Sequence, residues 1–162
     1  AELLTVTERL YRQAGLKRAY FSAFRPIADT PLENLPPAPL ARQTRLYQAS
    51  FLLRDYGFRL EDLPFGPDGN LPLERDPKQV WAETHLRAAP VEINTAGRRE
   101  LLRVPGIGPK SAEAILAARR ETRLRALSQL RKLGVDTARA APCILLDGKS
   151  PPRQLGLWGG RD

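Results

Sequence analysis

The sequence predicts a mainly α-helical protein in which a helix-strand unit and a proline-rich extended connection precede two helices joined by a tight hairpin. Apolar residues recur at helical spacing in several segments, prolines and glycines interrupt these segments, and basic residues concentrate around one Pro-Gly turn. The chain has 162 residues, of which 42% are hydrophobic, so it is long enough to form a core. We expect the helix-strand unit, the connection and further helices in residues 1–86, the hairpin domain in 87–148 and a flexible tail in 149–162.

The first part of the chain alternates regular segments with loops. An amphipathic helix ending at Gly15 is predicted by four apolar residues at helical spacing: Leu4, Val6, Leu10 and Tyr11. The short aromatic segment 17–24 predicts a strand. Prolines crowd residues 25–39 and exclude both a helix and a central strand there, so this segment is the extended connection. A long helix is expected over residues 40–56, with Gly57 as its end.

A loop rich in glycine and proline follows, over residues 64–76. Asp76 and Pro77 form a good N-cap and first-turn pair for a helix that should run to about His85. Pro90 then interrupts the helical pattern. We therefore expect a separate set of elements after this proline.

Four elements are predicted in the last third of the chain. Asn94 has the short acceptor side chain suited to capping a helix over residues 95–103. A second helix, over 109–120, begins with a proline at its first position. A shorter helix over 126–133 and a short strand within 143–148 complete the domain.

The turn between the first two of these helices carries the most informative chemistry. Pro105 would break a continuing helix, whereas Gly106 and Gly108 permit a tight turn and the close approach of another group. Unpaired amides at the start of the second helix, those of Gly108, Lys110 and Ser111, favour an anion such as phosphate. The lysine adds a positive charge at the same place.

The distribution of charge supports a polyanionic partner. The chain has a net charge of +8, and residues 87–139 hold 12 Lys and Arg against 5 Asp and Glu, a net of +7, whereas residues 1–86 are neutral. Charge alone does not choose between nucleic acid, an anionic membrane and an acidic protein. No apolar run approaches the roughly 20 residues that span a bilayer, so we expect no membrane partner.

The residues around the turn resemble the helix-hairpin-helix motif of DNA repair and DNA uptake proteins. The pattern Leu-x-x-Val-Pro-Gly-Ile-Gly-x-x-x-Ala-x-x-Ile runs from Leu101 to Ile115, after a similar lead-in at residues 91–96. The resemblance implies that the hairpin backbone contacts phosphates of double-stranded DNA without reading bases. The alternative is a helical corner with no ligand. The residues predicted to bind DNA are Arg103, Gly106, Ile107, Gly108, Lys110, Ser111, Arg119 and Arg120.

Residues 126–134 resemble a degenerate second hairpin of a tandem pair. Leu-Gly-Val stands where Gly-Ile-Gly is expected, so we assign this segment a structural role. The basic run from Arg119 to Arg125 is either a solvated face or a second contact with the DNA backbone. The aromatic residues of the first part are interpreted as core rather than as platforms for base stacking.

A broader resemblance covers most of the chain. The segments TERLYRQAGLKRAYFSAFRPIADTPL, PPAPLARQTRLYQASFLLRDYGF and GNLPLERDPKQVWAETH, followed by the hairpin, are similar to the C-terminal part of DNA modification or repair radical SAM proteins that are linked to a uracil-DNA-glycosylase-like partner. In that family a barrel with a three-cysteine cluster motif precedes these segments. The first helix and strand would then be the last unit of such a barrel. An iron-sulfur cluster and S-adenosylmethionine are expected only if an upstream radical SAM domain exists.

The chain itself offers no set of catalytic residues. Cys143 is the single cysteine, so it cannot hold an iron-sulfur cluster alone, and His85 is the single histidine. We therefore expect no cofactor or metal in this chain and a DNA-binding module in the cytoplasm. The alternatives are a catalytic fragment that needs the missing barrel and a stand-alone uptake or competence-type protein. Because the sequence opens at Ala1 and has no methionine, either an initiator was removed or this is the C-terminal piece of a longer protein.

Overall fold

Two compact units make up the protein in the computed structural model, Ala1–Trp81 and Ala82–Asp162. The structure describes residues 1–152. The division between the units falls within a helix, Pro77–His85. Most of the predicted tail, residues 153–162, lies outside the described residues.

The first unit is built around two helices, α1 at Glu2–Gln13 and α2 at Leu40–Asp55, and both confirm the predicted helices. A 3-10 turn at Leu60–Asp62 and the start of α3, Pro77–His85, complete it. Its core consists of the buried residues Leu4, Ala49, Leu52, Phe58, Leu63 and Leu71.

Only part of the apolar stripe predicted for α1 is buried. Leu4 is 1% exposed, whereas Val6 and Leu10 are 54% and 41% exposed. The predicted helix is confirmed, but its apolar residues are buried to different extents. Leu4 packs into the core of the first unit, whereas Val6 and Leu10 remain largely in solvent.

The strand predicted at residues 17–24 does not form, because no strand within residues 1–152 lies beside this segment to pair with it. Its extended backbone instead donates alternate N–H groups to side chains of the two helices. Ala19 donates to the Tyr11 hydroxyl at 3.2 Å, Phe21 to the Tyr47 hydroxyl at 3.1 Å and Ala23 to Gln43 Oε1 at 3.1 Å. The aromatic, β-favouring composition thus predicted the extended conformation but not its partners.

The start of α3 has the predicted cap. Asp76 Oδ1 accepts hydrogen bonds from the N–H groups of Lys78 at 2.9 Å and Gln79 at 3.1 Å. These bonds satisfy two of the amides that the first turn of a helix leaves unpaired, and the proline at the first position lacks an N–H.

The second unit surrounds a two-stranded parallel sheet. Val91 lies opposite Ile144, and Glu92 opposite Leu145, which confirms a short strand near the end of the domain. The elements, in chain order, are β1 (Val91–Glu92), α4 (Arg98–Arg103), α5 (Pro109–Glu121), α6 (Leu127–Lys132), α7 (Thr137–Ala140), a 3-10 turn (Ala141–Cys143) and β2 (Ile144–Leu145).

Asn94 does not cap a helix, so that prediction was wrong. The helix begins at Arg98, after Gly97 as its N-cap residue. The Asn94 amide nitrogen donates to the Leu124 carbonyl at 2.9 Å, and its oxygen accepts from the Leu124 N–H at 2.9 Å. Asn94 thus pairs with both backbone groups of Leu124 and joins the loop after β1 to the segment after α5.

Neither a membrane span nor a metal cluster is found in the described part of the chain. None of its helices is long and apolar enough to cross a membrane. Within residues 1–152, no three His, Cys, Asp or Glu side chains are placed to hold a metal ion.

Candidate nucleic-acid interface

Helices α4 and α5 form the first hairpin, and an apolar layer holds them together. Its residues are Leu101, Leu102, Val104, Ile107, Ala112 and Ile115, each at most 1% exposed. Ile107, one of the predicted DNA contacts, thus has its side chain in this layer. Burial of this layer fixes the turn between the helices.

Gly106 brings the two hairpin turns of this unit together. Its φ of +82° is a conformation that side chains other than glycine rarely adopt. A Cβ at this position would lie 2.3 Å from the Asp136 carbonyl oxygen, and the Gly106 carbonyl accepts a hydrogen bond from the Asp136 N–H at 3.0 Å. Gly106 is therefore required for contact with the second hairpin, whatever its role toward DNA.

Gly108 has a different backbone. Its φ of −105° and ψ of 177° are extended and open to any residue, so the expectation that this turn conformation requires glycine was wrong. Gly108 is the N-cap residue of α5, and it is only partly buried. The backbone conformation at this position therefore does not itself require a glycine.

The amides at the start of α5 are only partly as predicted. The Gly108 N–H donates to Ser111 Oγ at 2.9 Å, and this hydroxyl donates to the Gly108 carbonyl at 3.1 Å. The Gly108 amide is thus already paired within the turn. Within residues 1–152, the amides of Gly106, Lys110 and Ser111 have no hydrogen-bond partner, and the Lys110 side chain is exposed.

Helices α6 and α7 form a second hairpin that matches the first position by position. Gly134 has a φ of +80°, close to that of Gly106, and Val135 is buried as Ile107 is. Asp136 is the N-cap residue of α7, as Gly108 is of α5. The register predicted for this segment was therefore wrong by one residue, because Gly-Val-Asp and not Leu-Gly-Val occupies the place of Gly-Ile-Gly.

The predicted basic contacts lie in different surroundings. Arg103 is 8% exposed, so it belongs to the interior of the hairpin. Arg119 Nη1 donates to the carbonyls of Ile93 at 3.1 Å and Ala96 at 2.6 Å, which ties α5 to the lead-in loop. Arg120 is exposed, like Lys110. Sequence periodicity could not separate these arginines, because the carbonyls that Arg119 binds are 23 and 26 residues away.

The rest of the basic run is paired with an acidic residue. Arg123 and Arg125 both form ion pairs with Asp147, the latter at 3.4 Å. The Asp147 backbone is held by Glu92, which accepts from its N–H at 3.3 Å and from the Gly148 N–H at 2.7 Å. Partial burial raises the pKa of Glu92, but its hydrogen bonds from backbone amides, first that of Asn94, outweigh this effect and leave the pKa below its ordinary value.

The one thiol of the chain is not placed for chemistry. Cys143 is 2% exposed, and burial raises the pKa of its thiol above the ordinary value. A buried, protonated thiol is a poor nucleophile and a poor metal ligand.

Comparison with known families identifies the hairpin region. Residues 87–139 match the profile of the helix-hairpin-helix motif. No curated protein and no solved structure gives a significant match to the chain. Helix-hairpin-helix motifs typically bind DNA, so the match supports DNA binding in general. The match gives no support to the radical SAM resemblance, to a uracil-DNA-glycosylase-like partner or to a role in repair.

Proposed function

We propose that this protein binds DNA through phosphates, without sequence preference, at the first hairpin. The observation that carries the proposal is the unpaired amide of Lys110 at the start of α5, with the exposed Lys110 side chain beside it. The next unpaired amide belongs to Ser111, a residue that is 6% exposed. The helix has 13 residues, so its dipole adds to the attraction for an anion. The motif match covers these same residues.

The proposed contacts explain why no sequence would be read. Backbone amides and exposed cations meet phosphate oxygens, which are the same in every sequence. Arg120 lies ten residues beyond Lys110, about 15 Å along the helix axis at a rise of 1.5 Å per residue. It is thus too distant to share a phosphate with Lys110 but could meet another along the same backbone.

Binding and its salt dependence test the proposal. Unrelated duplexes of equal length should bind with similar affinity at fixed salt, and affinity should fall as salt rises, by about 0.9 log units per log unit of salt for each phosphate neutralised. Lys110→Ala should weaken binding and reduce this slope by about one phosphate. Lys149→Ala removes the same charge from an exposed lysine outside the matched residues and serves as the control.

Two outcomes would contradict this function. A strong preference for one duplex at constant salt would indicate base contacts. An equal effect of the two lysine substitutions would indicate diffuse attraction by the net charge of +8 rather than binding at the hairpin.

We further propose that the protein acts in DNA repair or modification in the cytoplasm, next to a radical SAM barrel and a uracil-DNA-glycosylase-like protein. The resemblance of the first 86 residues to the end of such a barrel supports this context. In the described chain, the large apolar side chains that remain exposed lie in the first unit; they are Leu3, Val6, Leu10, Leu16, Tyr20, Ile27, Leu32, Leu35, Leu40 and Phe51. A neighbouring domain would cover such a surface.

The extended segment supports the same context. The N–H groups of Arg18, Tyr20 and Ser22 alternate with those that bind the helices, and they have no hydrogen-bond partner among residues 1–152. A strand of an adjoining sheet could pair with this edge. The barrel would then hold the iron-sulfur cluster and S-adenosylmethionine, and this chain would position the DNA.

Coexpression with a radical SAM barrel encoded immediately upstream tests this context. We expect a stable complex, or a single polypeptide, in which the amides of Arg18, Tyr20 and Ser22 are protected from hydrogen exchange. If the two proteins purify separately and these amides exchange equally in both samples, the context is wrong. DNA binding by the hairpin would be unaffected by that result.

A further inference from the structure

Asp136 occupies a position in the second hairpin that the first hairpin leaves open. It is the N-cap residue of α7 and corresponds to Gly108, the N-cap residue of α5. The residues that follow also differ, since Thr137, Ala138 and Arg139 replace Pro109, Lys110 and Ser111. The second hairpin therefore has a carboxylate at its cap and lacks the lysine two positions later.

The amides of this second turn are largely used within the protein. Gly134 donates to the Arg131 carbonyl at 3.1 Å, and Val135 to the Leu130 carbonyl at 3.2 Å. The Asp136 N–H donates to Gly106, and the Asp136 carboxylate accepts from the Arg139 N–H at 3.3 Å. An internal carboxylate thus takes a place at the helix start that a phosphate would need.

The carboxylate also lies close to the first hairpin. A Cβ built on Gly106 would be 3.2 Å from the Asp136 Cβ, so the two turns are in direct contact. Asp136 is exposed, and it has no ion-pair partner among the described residues. Its negative charge, which one backbone amide of α7 contacts, therefore lies next to the turn of the first hairpin without an ion pair among these residues.

We propose that Asp136 makes the tandem pair asymmetric, so that the first hairpin binds a DNA backbone and the second is prevented from doing so. The inference rests on the proposed function of the first hairpin. It identifies Asp136 as a residue that limits affinity and restricts the contact to one backbone strand. Gly106 and Asp136 keep the two turns together, so the repulsion acts on any phosphate held by the first turn.

Removal of the charge tests the proposal in the full chain. Asp136→Asn retains a good N-cap residue and should raise DNA affinity about threefold to tenfold at low salt, as expected for a unit charge several ångströms from a phosphate. Glu74→Gln is the matched control, since Glu74 is exposed and lies outside the residues that match the motif. This control should change affinity less than twofold.

A second variant tests the blocked site itself. The combination of Asp136→Gly and Ala138→Lys introduces the glycine and the lysine of the first hairpin, and it should steepen the salt dependence by about 0.9 log units of affinity per log unit of salt, the slope of one phosphate. If Asp136→Asn melts below the wild type, Asp136→Ser, another N-cap former, replaces it.

The outcomes separate the two proposals. If Lys110→Ala weakens DNA binding, but Asp136→Asn leaves the affinity unchanged or Glu74→Gln raises it equally, the role of Asp136 is overturned and the first hairpin remains the DNA site. A wild-type chain that does not bind DNA would overturn both.

Discussion

Replacement of Gly106 by alanine should be far more destabilising than the same change at Gly134. Both glycines have nearly the same backbone conformation, with φ of +82° and +80°. An L-residue in this region costs about 1–2 kcal/mol. A Cβ on Gly106 would also lie 2.3 Å from the Asp136 carbonyl oxygen, whereas a Cβ on Gly134 would meet no described atom within 4 Å.

The overlap at Gly106 sets the size of the difference. The Asp136 backbone would have to move by about an ångström to reach ordinary contact, and overpacking of this kind costs about 1–3 kcal/mol. We therefore expect Gly106→Ala to lower the free energy of unfolding by about 2–5 kcal/mol and Gly134→Ala by about 1–2 kcal/mol.

Urea denaturation of the two variants and the wild type, followed by circular dichroism, measures this difference. Equal losses of stability would show that the two turns do not touch as described. A destabilised Gly106→Ala with normal DNA binding would not conflict with this argument, because the stability change concerns contact between hairpins.

Three further predictions concern the second unit. Asn94→Ala should destabilise it by about 2 kcal/mol, because the N–H and carbonyl of the buried Leu124 lose their partners; unchanged urea stability would contradict this. Because the pKa of Glu92 is lowered in the folded state, its stabilisation is present above the ordinary glutamate pKa and is lost as pH falls through the lower folded value. Glu92→Gln should therefore lose stability near neutral pH and show a smaller further loss in acid, and parallel stability curves from pH 6 to 3 would refute it. Cys143 should resist alkylation at neutral pH until the protein unfolds, and rapid labelling of folded protein would show that the thiol is exposed.

Local signals predicted the helices well. Asp76 and Pro77 mark the start of α3, and proline at the first position marks the start of α5. These residues act through backbone groups a few positions away, so their effect can be read from neighbouring sequence. The first hairpin was predictable for the same reason, because its turn and apolar spacing lie within one short segment.

Long-range contacts were not predictable in this way. Segment 17–24 looks like a strand, but its amides bind Tyr11, Tyr47 and Gln43, which lie up to 26 residues away. Asn94 looks like a cap but binds Leu124, 30 residues away. An aromatic segment can extend beside a strand or beside side chains, and an asparagine can cap a helix or bind a distant loop. Tertiary structure decides which of these partners each one meets.

The second hairpin shows a related difficulty. Gly134 and Val135 keep the conformation and burial of the first turn, but Asp136 replaces its second glycine. A pattern that requires two glycines misplaces the register. The signal that could have found it is a short acceptor side chain suited to an N-cap, followed by a helix.

The central claim is that DNA binds at the start of α5, and a substitution that blocks access to Gly108 tests it most directly. Valine fits the extended backbone there, so Gly108→Val should fold while its branched side chain obstructs the approach of a phosphate to the start of α5. Gly97→Val is the matched control, since Gly97 is also an N-cap residue with an extended backbone. A Cβ there would meet Glu100 Oε2 at an ordinary 3.5 Å. Fluorescence anisotropy with a labelled duplex, at one salt concentration and with melting curves for each protein, should show at least a tenfold loss of affinity for Gly108→Val, about 1.4 kcal/mol, and wild-type affinity for Gly97→Val. A Gly108→Val protein that melts like the wild type and binds DNA with undiminished affinity would contradict the account.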